Sequence, residues 1–193
     1  NLALADLALK TTITGPITIT LTGNEFAPAG GYIISAQGTA TNTIIIQGVN
    51  STITAGAQSP GSLIDGIFKI IGGDYITIQN FTMVENPTNT ENNQGTNNKT
   101  EWGVALLYAT TTNGAKNNTI QNNTISLSSN YTNSVAVYSN VRHAAGAPLT
   151  QVDITNATGN NSGNKVYGNT ISNVACPVVF VGSPTTDAMD SGN

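Results

Sequence analysis

The chain has 193 residues, a formal net charge of −4 and 8% charged residues, compared with about 25% in an ordinary globular protein. Lys and Arg total 6, too few for the basic face of a nucleic-acid-binding protein. No apolar run is long enough for a membrane span. Thr (29), Asn (26) and Gly (20) dominate the composition, which excludes a helical bundle and predicts a single all-β domain.

Residues 1–10, "NLALADLALK", differ from the rest of the chain. Asn1 is a suitable N-cap, and Leu2, Leu4 and Leu7 lie on a partly apolar stripe that Ala8 and Leu9 extend. We therefore predict a short N-terminal capping helix over residues 1–10. The remaining segment, residues 11–193, is predicted to be one β domain that continues or stacks beyond its C-terminal end.

A repeat becomes visible when the Ile- and Thr-rich segments of the β domain are aligned. The segments are "TIIIQGVNS", "YITIQNFTM", "NNTIQNNTIS" and "NKVYGNTIS". Their alignment places Ile46, Ile78, Ile120 and Val166 in one column, which we predict to be a structural ladder in the core. Asn80 and Asn122 share a later column, where a turn with positive φ and hydrogen bonds between stacked asparagines are expected.

A second family of strands runs between these repeats: "GIFKIIG", "GVALLYA", "SVAVYSN" and "PVVFVGS". Two strand types that alternate along the chain are typical of a solenoid, in which stacked coils bury an apolar face that no single coil can bury alone. The long polar segments 86–101 and 141–163 are predicted to be loops on one functional face.

The order of the strings "TGPITITLTG", "GTATNTIIIQG", "YITIQNFTM" and "NNTIQNNTIS" resembles right-handed parallel β-helix proteins of the pectin-lyase-like superfamily. More narrowly, the chain is similar to large secreted and cell-surface β-helix proteins of Bacteroidota. The resemblance implies an all-β, right-handed parallel β-helix of about 4–6 coils with a short N-terminal capping helix. It also implies that the chain is an adhesin, a surface-fibre component or a carbohydrate-active enzyme.

Arg142 and His143 are the first candidates for catalytic residues, since they are the only Arg and the only His of the chain and are adjacent. His can act as a general base and Arg can bind a uronate carboxylate. Glu101 beside Trp102 is the second candidate, because a Trp next to a carboxylate can stack on a sugar ring. The alternative for each pair is a local packing or hydrogen-bonding role, which we favour.

Tyr108 and Tyr138 lie near the ends of successive strands of the second family. Stacked on each other they would form an aromatic packing ladder, and pointing outward they would form a sugar-binding stripe. Lys69 is predicted to point outward from its strand as a solvated charge. No cofactor or metal site is expected, because acidic residues do not cluster on the repeated strands.

The sequence thus favours a non-enzymatic, extracellular structural or adhesive protein, either a subunit of a surface fibre or part of a large secreted adhesin. Its low charge and its hydroxyl- and amide-rich composition favour the extracellular or cell-surface location. The expected partners are further copies stacked end to end, the remainder of a larger surface protein, or a polysaccharide. The alternative is a polysaccharide lyase, a glycosidase or a sugar-binding module.

Overall fold

The computed structural model of the protein describes residues 2–10, 13–61, 63–93, 95–144 and 154–193. A helix, α1, spans Leu2–Ala8. The strands in chain order are β1 (Ile17–Thr22), β2 (Glu25–Phe26), β3 (Tyr32–Ile34), β4 (Ile44–Thr54), β5 (Gly66–Ile71), β6 (Ile76–Val84), β7 (Trp102–Tyr108), β8 (Thr119–Gln121), β9 (Thr124–Ser126), β10 (Val135–Ala144), β11 (Lys165–Tyr167), β12 (Thr170–Ser172) and β13 (Cys176–Val181). Short 3-10 turns follow at Ala157–Gly159 and Thr186–Ala188.

The strands form two parallel sheets. Sheet 1 has eight strands, with the path β1-β4-β6-β8-β11 and with β2, β9 and β12 beside it. Sheet 2 has five strands in the order β13-β10-β7-β5-β3. Along the chain, segments that contribute one or two strands to sheet 1 alternate with single strands of sheet 2, so paired strands within a sheet come from distant segments.

The predicted right-handed parallel β-helix of four to six coils was wrong. Across the described residues the strands form two separate parallel sheets, of eight and five strands, rather than a closed solenoid. The physical reason is that the repeats specify which strands pair within a sheet. They carry no signal for how one sheet is joined to the other.

Sheet 1 is buried on one face and polar on the other. In β6 the burial alternates along the strand, as expected when only one face packs on a core. The column Ile46–Ile78–Ile120–Val166 lies on the buried face, with each residue opposite the next across the paired strands. The outer face carries a ladder of side-chain hydrogen bonds, from Gln47 to Thr20, from Gln79 to Gln47 and from Gln121 to Gln79.

Sheet 2 is buried on both faces in its middle. Every residue of β7 is buried, which fits the continuous apolar run of its sequence. Val104 and Leu106 belong to the core shared with sheet 1, whereas Ala105 and Leu107 belong to a second cluster on the other face. The outer face of sheet 2 is therefore covered in its middle, in contrast to that of sheet 1.

Asparagine side chains connect successive strands of sheet 1. Asn80 and Asn122, the predicted turn residues, both have the left-handed backbone conformation, with φ of 62° and 54°. The ladder of hydrogen bonds uses the next asparagine, since Asn123 Oδ1 accepts from the Phe81 N–H at 3.0 Å and Asn169 Oδ1 accepts from the Asn123 N–H at 2.9 Å. These bonds satisfy buried backbone groups at the bends of the strands.

The first strands of the two sheets, β1 and β3, lie near α1. Leu4 and Leu7 of α1 are each 4% exposed and belong to the main core. The helix contacts β3, the first strand of sheet 2. At the opposite end of the sheets lie β11, β12 and β13, which we call the end strands.

Candidate functional site

The structure brings several of the predicted site residues together on the outer face of sheet 2. The rings of Trp102 and Tyr138 stack, with centroids 4.8 Å apart and planes 12° apart. The His143 ring meets the Trp102 ring edge-on at 5.3 Å, and its Nδ1 lies 3.2 Å from the Tyr138 hydroxyl. All three side chains are buried, so this aromatic cluster packs the face and presents no open sugar-binding stripe.

Two of the other predicted residues lie at the margin of this cluster or outside it. Tyr108 belongs to a different cluster, with Val141, Ile154 and Ala188. Arg142 is half-buried, and its backbone N–H donates to Asn140 Oδ1 at 2.8 Å. The expected ladder of Tyr108 on Tyr138 does not form, because Tyr138 stacks on Trp102 instead.

Glu101 is the centre of a buried polar cluster. Its Oε2 accepts hydrogen bonds from the backbone N–H groups of Ile64 and Asp65, at 3.2 and 2.8 Å. Its Oε1 accepts from Asn97 Nδ2 at 3.1 Å and from the Tyr131 hydroxyl at 3.0 Å. The carboxylate is fully buried, and it joins three segments that precede or follow different strands.

Burial shifts the pKa values of three groups in and beside this cluster, Glu101, Asp65 and Lys69. Desolvation raises the pKa of Glu101 to about 7, although the hydrogen bond from the Asp65 N–H opposes the change. Burial also raises the pKa of Asp65 and lowers that of Lys69. Lys69 is 8% exposed and its Nζ donates to the Ile64 carbonyl at 3.0 Å, so the prediction of a solvated Lys69 was wrong.

This arrangement holds loops in place rather than exposing a reactive group. A carboxyl with a pKa near neutrality can hold or release a proton, but both Glu101 oxygens are occupied by protein donors. Glu85 acts similarly on the same loop, accepting from the Thr100 N–H at 3.0 Å and the Thr100 hydroxyl at 2.7 Å. Among the residues that the structure describes, no three His, Cys, Asp or Glu side chains are placed to hold a metal ion.

The end strands are poorly buried compared with the strands in the middle of the two sheets. No residue of β11, β12 or β13 is buried. Tyr167, Val178 and Phe180 are 53%, 39% and 37% exposed. Within the described part of the chain, β11 pairs only with β8, β12 only with β9 and β13 only with β10. Each end strand therefore has one edge with backbone groups that no other strand satisfies.

Next to this edge, an asparagine side chain repeats a hydrogen-bonding pattern that is also found at the start of earlier strands of sheet 1. Asn118 Oδ1 accepts from the Ile76 N–H, Asn164 Oδ1 from the Asn118 N–H, and Asn193 Oδ1 from the Asn164 N–H, all within 2.8–2.9 Å. Ile76 begins β6, and Asn118 and Asn164 directly precede β8 and β11. Asn193 thus occupies the position on Asn164 that Asn164 occupies on Asn118.

Sequence analysis missed this corner, although a signal was present. Residues 161–164 read "NSGN" and residues 190–193 read "DSGN". In the structure Asn161 Oδ1 accepts from the Ala115 N–H at 2.8 Å, and Asp190 Oδ1 accepts from the Asn161 N–H at 2.9 Å. The two strings are therefore equivalent corners, stacked one on the other.

No protein-family model matches the chain, and no curated protein or solved structure is significantly similar to it. The resemblance to secreted and cell-surface proteins of Bacteroidota therefore stays a prediction. Among the helices of the described residues, none is long and apolar enough to cross a membrane.

Proposed function

We propose that the chain is a non-enzymatic structural or adhesive protein of the cell surface, which associates with further protein through its end strands. The observation that carries the proposal is the uncovered edge of β11, β12 and β13. Unpaired edges of parallel sheets are templates for further strands. Here the edge also exposes the apolar side chains of Val178 and Phe180.

The comparison with the interior of sheet 2 supports an association surface. Val178 lies opposite Val137, and Val137 lies opposite Val104, in one column across three strands. Val104 and Val137 are completely buried, whereas Val178 is 39% exposed. β13 thus carries the same type of apolar side chain as the buried strands, but among the described residues no strand pairs with its other edge.

The composition is compatible with close association. A chain with 8% charged residues and a net charge of −4 has little electrostatic repulsion between copies. Asn, Thr and Gln side chains on the outer face of sheet 1 provide hydrogen-bonding groups without charge. The same features support an extracellular setting for a fibre subunit or for part of a larger adhesin.

The carbohydrate-active alternative has no comparable support among the described residues. Trp102, Tyr138 and His143 are buried against each other. Glu101 is buried with its oxygens bonded to protein donors. An enzyme for a polysaccharide would need these groups on an open groove.

Association can be tested by sedimentation velocity and negative-stain electron microscopy of the purified chain at increasing concentration. We expect concentration-dependent oligomers or filaments. The variant Phe180→Lys should remain monomeric, because a lysine charge at the contact would be costly to desolvate. Val49→Lys is the matched control, since Val49 of β4 is 48% exposed but lies away from the end strands. A chain that stays monomeric at every concentration would contradict the proposal.

A further inference from the structure

The N-terminal end of the molecule exposes a second apolar surface. Leu2 and Leu9, in and just after α1, are 90% and 79% exposed. Leu9 directly follows Ala8, the last residue of α1. Leu4 and Leu7 are buried in the core, whereas the apolar side chains of Leu2 and Leu9 are directed to solvent at this end of the molecule.

The edge of sheet 1 at this end is also accessible. Among the described residues, β1 pairs only with β4. A cleft of about 170 Å³ separates β1 from α1 and is lined by Ala3, Leu7, Ile17 and Ile19, with Asp6 and Lys10 at its margin. Ile17 and Ile19 are half-buried. The cleft can therefore receive apolar side chains from a strand that pairs with β1.

The register of sheet 1 makes its two edges compatible. Ile19 lies opposite Ile46, which begins the column that continues through Ile78 and Ile120 to Val166. The column therefore has Ile19 at one edge of the sheet and Val166 at the other. Every pair of strands in this sheet is parallel, so β11 of one copy can pair with β1 of a second copy without a change of register or direction.

The edges of sheet 2 differ from those of sheet 1. Helix α1 contacts β3, so this end of sheet 2 presents α1 and the exposed Leu2 and Leu9 beside β3. A contact between this end and β13 would remove Val178, Phe180, Leu2 and Leu9 from water.

We propose that the end strands bind the N-terminal end of a second copy, head to tail. In this contact β11 pairs with β1, extending the column from Val166 to Ile19, and β13 packs against Leu2 and Leu9 beside α1. The inference rests on the proposed function, because it specifies the partner of the same surface. The contact joins two different surfaces, so it repeats from copy to copy and produces a filament unless the rotation closes a ring.

The test combines variants that block one end each. Leu9→Lys changes the N-terminal end and Phe180→Lys changes the end strands, with Val49→Lys again as the control. Each end variant alone should require at least about tenfold more protein to assemble than the wild type. An equimolar mixture of the two should form dimers and no larger species, because each variant retains one intact end and the two intact ends are complementary.

The outcomes separate this inference from the proposed function. If Leu9→Lys assembles like the wild type while Phe180→Lys does not, the end strands bind a surface other than the N-terminal end, and only the head-to-tail inference fails. A wild-type chain that never assembles overturns both. Val178→Lys provides a second block of the end strands, and circular dichroism establishes that each variant is folded, so that loss of assembly is not loss of structure.

Discussion

The middle and the C-terminal end of the molecule use similar residues in different environments. Ile125 of β9 is completely buried, whereas Ile171, its direct neighbour in β12, is only half-buried. The same difference separates Val137 of β10 from Val178 of β13. Since the side chains match, the difference comes from the neighbouring strands: the interior strands are flanked on both sides, whereas among the described residues each end strand is flanked on one side. The burial of these side chains therefore depends on where their strand lies within its sheet.

The largest effect should come from shortening the two isoleucines. Ile125→Ala is expected to lower the free energy of unfolding by about 2–5 kcal/mol, because it removes buried methyl groups and leaves a cavity. Ile171→Ala should cost less than about half of that, since water already reaches the side chain. Urea unfolding at low protein concentration measures both. Equal losses for the two variants would show that the end strand is as well covered as the interior.

The buried acid should make the stability of the middle depend on pH. Because the folded-state pKa of Glu101 is raised to about 7 from 4.5, its contribution is fully present below pH 4.5 and is lost as the pH rises through 7. The loss is on the order of 3 kcal/mol. Unfolding measurements on the wild type and on Glu101→Gln at pH 5 and at pH 8 test this. Between the two pH values the wild type should lose more of its free energy of unfolding than the variant does.

The end of the molecule offers a control for this titration. Asp190 is half-buried and burial also raises its pKa, but the group is nearer to solvent than Glu101. Asp190→Asn should therefore alter the pH dependence of unfolding less than Glu101→Gln does. A pH dependence that survives unchanged in Glu101→Gln would assign the effect to other groups.

A smaller effect should distinguish two asparagines with equivalent hydrogen bonds. Asn123 bonds the Phe81 N–H and the Ile78 carbonyl, and Asn169 bonds the Asn123 N–H and the Ile120 carbonyl. Asn123→Ala should cost about 2 kcal/mol because it leaves buried groups unsatisfied. Asn169→Ala should cost less than about 1 kcal/mol, since water can replace a half-buried amide. Matched urea unfolding curves would test the difference.

Where the repeat is regular, the sequence predicts which residues lie opposite each other in the sheet and which turn residues have a positive φ. The column from Ile46 to Val166 follows from alternating apolar residues, and the sheet has the same register. The positive φ of Asn80 and Asn122 also follows from residue type. The hydrogen-bonded asparagines were placed one residue too early, because alternation alone does not show which of two adjacent asparagines turns inward.

The remaining features depend on contacts between distant segments. The partners of Glu101 come from residues 64, 65, 97 and 131, and no spacing in the sequence links them. Lys69 is buried and bonds the Ile64 carbonyl before its strand begins, which its own strand pattern does not indicate. The β-helix prediction was wrong for a related reason. The repeats predict which strands pair within a sheet, but they do not indicate how the two sheets are joined.

Hydrogen exchange measured at two protein concentrations tests the central claim most directly. If the end strands are an association surface, the backbone N–H groups of β13 exchange rapidly in dilute solution and become protected when the chain is concentrated. Those of β7 should be protected at both concentrations, because that strand is buried in the single chain. Exchange in β13 that does not change with concentration would contradict the claim that these strands bind another copy.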